Sequence, residues 1–204
     1  MTEEKKIVEQ QKDEKDDYGI VIDYIPPGIS ANVEPIAIVI GEKTFSLLEV
    51  VLKEGEFVAI QDRLYIGPGK RDKVKYIKRR LRIDELSQSA RAELEYAIQE
   101  IVKQREKEFV EFFNTAKPIT PRRHELELIP GIGKRLMQRI LEEREREPFK
   151  SFEDIEKRTG IKNVAEAIAK RIIIELLGKD KHYLFVKPFA PKPKGKKQQK
   201  TSEK

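Results

Sequence analysis

The chain has no cysteine, only two histidines and few asparagines, and no apolar run in it extends beyond a few residues. Without cysteine there is neither a disulfide framework nor a Cys-based zinc site, and His124 and His182 have no cysteine partners with which to ligate a metal. No stretch approaches the length of a membrane span, and the charged opening MTEEKKIVEQQKDEKDD is unlike a secretory signal. A soluble, cytoplasmic protein with no membrane partner is expected. Gly-rich nucleotide loops of the Walker or dinucleotide kind are also missing, so no cofactor is expected. Scarce Asn with abundant Glu, Lys and Arg fits a heat-adapted source.

Charge is abundant. Charged residues make up 38% of the 204, well above the usual share of about a quarter, and hydrophobic residues also make up 38%, enough for a modest core in one domain or two small ones. The net charge of +6 is unevenly held: residues 1–17 carry four lysines against seven acids, residues 187–204 carry seven lysines against one acid, and the body between keeps only +3. Local clustering must therefore carry any argument for nucleic acid. Both ends lack apolar periodicity. Residues 1–17 are expected to form a disordered acidic tail, and 188–204 a disordered Lys-rich tail acting as a weak electrostatic arm.

Residues 18–83 have a β pattern. YGIVIDYI, PIAIVI, FVAI and RLYIG are short runs of Ile, Val and aromatics separated by Gly and Pro, which suits a small closed barrel. TFSLLEVV (44–51) is ambiguous, because Phe45, Leu48, Val51 and Leu52 also fit a helical turn. Residues 84–119 switch to a helical period, with Leu94, Ala97, Ile98, Ile101 and Val102 and then Phe109, Phe112, Phe113 and Ala116 forming a stripe broken near Arg105. One long amphipathic connector or two shorter helices follows, with Ser87 or Ser89 as N-cap. Thr120 and Pro121 look like the cap and first residue of the next helix.

Residues 120–187 look internally repeated. Pro130-Gly131-Ile132-Gly133 recurs as Thr159-Gly160-Ile161-Lys162, 29 residues on, each copy between a short helix and a longer one. Ser151 with Asp154, and Asn163 with Glu166, are capping-box-like. HYLFV (182–186) reads as a possible strand returning to the barrel. The expected fold is α+β: a barrel, a helical connector, and two helical hairpins covering each other's apolar faces.

A plain turn needs one glycine, and this one has two. Between helices, Gly131 lets the backbone reach positive φ, Ile132 pins the turn into the apolar interior, and Gly133 lets something approach the chain closely. The amides that begin the following helix lack intrahelical partners and sit at its positive end, an anion site that fits one backbone phosphate. Lys134 and Arg135 add mobile positive charge. Such contacts position a protein on a strand without reading bases. In the repeat, Lys162 replaces the second glycine, so Gly160 and Lys162 either hold a structural turn or bind through Lys162 itself.

A second basic feature is PGKRDKVKYIKRRLR (68–82), where Lys70, Arg71, Lys73, Lys75, Lys78, Arg79, Arg80 and Arg82 face Asp72 alone. A barrel strand of this kind suits tracking a single strand, with charge against edge aggregation as the plainer alternative. Tyr65 and Tyr76 read as core more than as stacking platforms. His124, beside Arg122 and Arg123, reads as exposed or capping. No catalytic constellation emerges. Glu142, Glu143, Glu145 and Glu147 interleave with arginines as a solvent face. Pro130–Gly133 resembles the helix-hairpin-helix turn found in DNA glycosylases, which place a catalytic lysine two residues after the second glycine and a Gly-Pro-Asp further on. Here Arg135 stands at the lysine position and stays protonated, and Asp154 follows no Gly-Pro, so the glycosylase reading fails.

Leu126 to Leu141, with Pro-Gly-Ile-Gly inside it, resembles the helix-hairpin-helix motif, departing at Met137, where a small residue is usual, and at Lys162. YIKRRLRIDELSQSARAELEYAI (76–98), EFVEFFNTAKPITPRRHELELIPGIGK (108–134) and PFKSFEDIEKR (148–158) resemble a DUF655-type archaeal family that joins an OB-like barrel to a helix-hairpin-helix domain. The resemblance implies RNA or nucleotide binding and a connection to translation and transcription. The expectation is a noncatalytic nucleic-acid-binding protein, RNA favoured over DNA. The alternative is an assembly factor that docks ribosomal or transcription proteins.

Overall fold

The computed structural model describes residues 15–28 and 34–188. Five strands, β1 (Tyr18–Ile25), β2 (Ile36–Gly41), β3 (Leu47–Leu52), β4 (Arg63–Tyr65) and β5 (Val74–Arg80), form one antiparallel sheet in the order β4-β1-β2-β3-β5. The sheet curls into a half-barrel but keeps two edges, β4 and β5, which do not pair, so the closed barrel expected from the sequence is corrected. Two expectations misplaced its strands. The ambiguous TFSLLEVV supplies β3, paired to β2 and β5. FVAI is not a strand: Val58 is buried as a plug in the concave face while Phe57 is 73% exposed.

Both faces of the sheet are covered, which explains why β2 is buried along its whole length. Val21, Ala37, Val39, Val50, Leu52, Leu64 and Val74 pack with Val58 inside the curl. Ile22, Ile38, Ile40 and Leu47 face outward onto helices. The register shift between Val21 and Asp23 is the kind of bulge that adds twist and lets a sheet close on itself.

α1 (Gln88–Gln104) starts at Ser87, whose hydroxyl accepts from the Ala90 amide at 3.1 Å. Its apolar stripe packs on β1 and on the last helix of the fold, Val164–Leu176. It ends at Arg105 (φ −99°, ψ 24°), whose guanidinium donates to the Glu42 carbonyl at 2.5 Å, and α2 (Glu106–Thr115) begins at once. The connector is thus two helices. Thr120 and Pro121 do not open a helix. Residues 118–124 instead form a small hairpin, β6 (Pro118–Thr120) and β7 (Arg123–His124), because Pro118 and Pro121 hold the residues before them, Lys117 and Thr120, toward extended backbone.

A 3-10 turn (Glu125–Leu128) follows, then α3 (Lys134–Arg146), α4 (Phe152–Thr159) and α5 (Val164–Leu176). The first limb of the expected tandem repeat is this single turn, whereas its counterpart α4 is a full helix. One continuous core joins the outer sheet face to all five helices, so no apolar boundary separates the sheet from the helical part. HYLFV is not a strand, yet it does return to the body. Phe185 meets Phe109 and Phe112 edge to face at 5.3 and 5.1 Å, and the Leu184, Phe185 and Val186 amides donate to the Glu175 carboxylate at 2.8–2.9 Å. The described end of the acidic tail expected over 1–17 is held to the body. Asp16 is buried and accepts from the Lys43 and Thr44 amides at 2.7 and 2.8 Å. Residues 1–14 and 189–204 of the two expected tails lie outside the described residues.

Candidate nucleic-acid interface

The first bend is built outward from a buried base. Leu126, Leu128 and Ile129 are in the core. His124 caps the 3-10 turn, its Nδ1 accepting from the Leu126 amide at 3.2 Å while Glu127 accepts from the His124 amide at 2.8 Å. Burial, with the nearby Arg144 charge, pulls the His124 pKa below its ordinary value, so the ring is held neutral. It is a buried cap, where the sequence allowed an exposed one. Gly131 then sits at φ +89°, where a side chain would be strained, and Ile132 inserts with 4% of its surface exposed.

Gly133 is the N-cap of α3 at φ −88°, ψ 177°, an extended conformation open to any residue, and a Cβ built there meets no atom within 4 Å. Neither backbone nor packing requires glycine at this position. No side chain caps α3. Gly133, Lys134 and Arg135 are exposed, and neither cation has an ion pair or hydrogen bond from its side chain.

The second bend repeats the shape and closes the site. Gly160 is at φ +82° as the C-cap of α4, Ile161 is buried, and Lys162 is exposed. The start of α5 is already occupied. Asn163, itself at φ +52°, accepts from the Glu166 amide at 3.1 Å, and Glu156 accepts from the Val164 amide at 2.8 Å. Arg139 spans from α3 to the Thr159 carbonyl at 3.2 Å, next to Gly160. Gly160 and Lys162 therefore precede a helix whose Val164 and Glu166 amides are already bonded to side chains, and the two bends differ in the feature that matters for an anion.

The basic strand is less free than its sequence. Lys75 pairs with Glu34 at 2.5 Å, Lys78 and Arg79 share Glu49 at 2.6 and 2.8 Å, Arg79 also reaches Glu85 at 2.5 Å, and Arg82 pairs with Asp84 at 3.1 Å. Contact with Arg79 holds the Glu85 carboxyl below its usual range. Arg80 is half-buried, its Nη2 donating to the Lys187 carbonyl at 3.0 Å, and desolvation lowers its pKa. The pairing of β5 with β3 slips twice, around Lys75 and Lys78, as bulges at exposed edges do. Strict alternation is lost, and Tyr76 is 41% exposed against the expectation of a core residue. The sequence hid this neutralisation because Glu34 and Glu49 come from distant segments.

Among the described residues, Arg122, Arg123 and Arg135 are the arginines whose guanidinium groups have no partner. A crevice of about 740 Å³ lies elsewhere, between Lys43, Phe45, Arg105 and the returning segment at Phe185. No group of three or more His, Asp and Glu among the described residues is placed to hold a metal ion, and no helix is long and apolar enough to cross a membrane. One buried cluster escaped the sequence reading: Arg171, 2% exposed, pairs with Glu175 and Asp180 at 2.7 Å each. The i, i+4 spacing of Arg171 and Glu175 inside an otherwise apolar helix was the available signal.

The model of a family described as a protein of unknown function (DUF655) matches residues 15–187. "Uncharacterized protein MJ0038" of Methanocaldococcus jannaschii is 46% identical over 175 residues, covering 84% of this chain and 80% of that protein. The crystal structure of Af1531 from Archaeoglobus fulgidus, titled with the same family, superposes with a TM-score of 0.79 at 46% identity over 84% of this chain and all of that one.

Proposed function

The chain belongs to the DUF655 family, and from that premise we propose that it is a noncatalytic nucleic-acid-binding protein gripping backbone phosphates at the Gly131–Arg135 bend. One observation carries the reading. At Gly133 the fold tolerates a side chain, yet glycine stands there beside uncapped helix amides and two unpartnered cations. A phosphate explains all of these together, because it needs bare amides, close approach and mobile charge. The bend is the turn of the first of two helix-hairpin-helix units, the second degenerate, and the half-barrel is OB-like. Paired β5 cations supply a secondary, weaker surface. RNA is favoured over DNA by the family resemblance alone, as is a place in translation or ribosome biogenesis.

The alternative is an assembly factor docking ribosomal or transcription proteins. It has its own support in the unpaired edge of β5, where Tyr76 and Ile77 are 41% and 38% exposed, since such an edge can accept an added strand. Nuclease treatment of a pull-down separates the two: partners are released if nucleic acid bridges them and stay bound if the edge docks protein.

Gly133→Asp tests the bend itself. Extended backbone at position 133 suits an aspartate N-cap, so the variant should be more stable by up to about 1 kcal/mol in urea denaturation. The same carboxylate would occupy the amides and repel phosphate, so affinity for RNA should fall about tenfold or more at low salt. A stabilised variant with undiminished affinity removes the bend from the interface.

A further inference from the structure

We infer that the β6–β7 hairpin is a second backbone anchor, and that with the Gly131–Arg135 bend it clamps a double-stranded nucleic acid; the inference rests on the phosphate-binding reading of that bend. The hairpin stands out from the body. Lys117, Pro118, Thr120, Pro121, Arg122 and Arg123 are all exposed. Its base, by contrast, is fixed. The Lys117 amide donates to Glu125 at 2.7 Å, the Glu125 amide returns a bond to the Lys117 carbonyl at 3.0 Å, and Arg144 donates to the Ala116 carbonyl at 3.0 Å. Thr120 accepts from the Arg122 amide at 3.3 Å within the turn. Prolines at 118 and 121 limit the conformations available to the loop. The result is a rigid projection with two arginines at its tip.

Those arginines are the telling feature. Elsewhere in the described chain guanidinium groups are bound to carboxylates or carbonyls, whereas Arg122 and Arg123, like Arg135, have no partner. Three unpartnered guanidinium groups thus fall within fourteen consecutive residues, on either side of the 3-10 turn. The chain joining them is short. From Arg123 to Gly133 there are ten steps, four of them in the 3-10 turn, so the two anchors lie no more than about 28 Å apart. That is within one turn of a duplex, about 34 Å.

The choice of duplex over single strand follows from what surrounds the anchors. Proteins that hold single strands stack bases on exposed aromatic rings. Among the described residues the well-exposed aromatics are Tyr18, Phe57, Tyr76 and Tyr96, all on the sheet, its loops or α1. The hairpin and the bend offer amides and guanidinium groups but no ring, which suits two phosphate rails and a groove between them, into which arginine arms commonly reach.

Binding of the full chain to a fluorescent 20-base-pair RNA duplex, to the matching DNA duplex and to one RNA strand alone tests this by anisotropy over a salt series. Arg122→Ala with Arg123→Ala should weaken duplex binding about threefold to tenfold and reduce the salt slope by roughly 1.8, one 0.9 step for each lost phosphate contact. Single-strand binding should stay within twofold. Lysine at both positions should restore the slope. The Tm should not move, since neither side chain has a partner to lose. If Gly133→Asp abolishes duplex binding while the double-alanine variant binds as the parent does, the hairpin anchor is wrong and the bend survives. If the double-alanine variant weakens single strand and duplex equally, the duplex assignment fails. If neither variant changes anything, the clamp and the bend both fail.

Discussion

His124 closes the base of the bend with a ring nitrogen that must be unprotonated to accept from the Leu126 amide. Its native pKa is lowered by burial, whereas in the unfolded chain the ring binds a proton below about 6.5. The unfolded state therefore holds more protons in the window beneath that value, and stability falls as pH drops from about 6.5 toward the native pKa, levelling off below it. Urea midpoints between pH 7.5 and 5 should record the fall. His124→Asn, which keeps an acceptor but cannot titrate there, should flatten it. An unchanged slope in the variant would assign the pH dependence to other groups.

At the scale of elements, the edge strand β5 combines charge with pairing. Glu49, on β3, neutralises Lys78 and Arg79 from beside them, so the local field is weaker than the strand's composition suggests. If β5 contributes to binding, Glu49→Gln should raise affinity for RNA about twofold to fivefold at low salt and steepen the salt dependence. Equal affinity would confine binding to the bend and the hairpin. Much about the elements was legible beforehand. Ser87, Ser151 and Asn163 cap as their spacing foretold, and the break near Arg105 divides α1 from α2 because apolarity lapses there. Period alone could not resolve TFSLLEVV, whose apolar residues fit both periods, nor FVAI, where one buried valine plugs the curl. Thr120-Pro121 carried a helix-start signal that lost to the extended backbone preferred before proline. At the site, the two glycines and their cations were readable. The closure of the second bend by Glu156 and the neutralisation of β5 were not, because each depends on a partner distant in sequence or a turn away.

At the scale of the whole molecule, a single apolar core unites sheet and helices, and the segment after α5 is tied back by a charged knot. Glu175 accepts three backbone amides and pairs with Arg171, both nearly fully buried. Without the Glu175 charge, buried Arg171 keeps only the less buried Asp180 as its counter-ion, and the three amides lose a charged acceptor. Glu175→Gln should therefore cost about 3 kcal/mol in urea denaturation and make the chain after Gly178 sensitive to protease. Lost stability without new cleavage would mean that Phe185, seated between Phe109 and Phe112, holds the segment unaided. The core keeps Ile132 and Ile161 fixed, so both bends are rigid, and what separates them is only whether their amides are free.

Amide chemical shifts recorded by NMR on the full chain during titration with an RNA duplex test that difference most directly. A phosphate cradle at the first bend requires the Gly133, Lys134, Arg135 and Leu136 amides to move with saturable, salt-sensitive shifts while Val164 and Glu166, already bonded to Glu156 and Asn163, stay in place. Still amides from Gly133 to Leu136 under saturating duplex, or shifts centred on Val164, would contradict it.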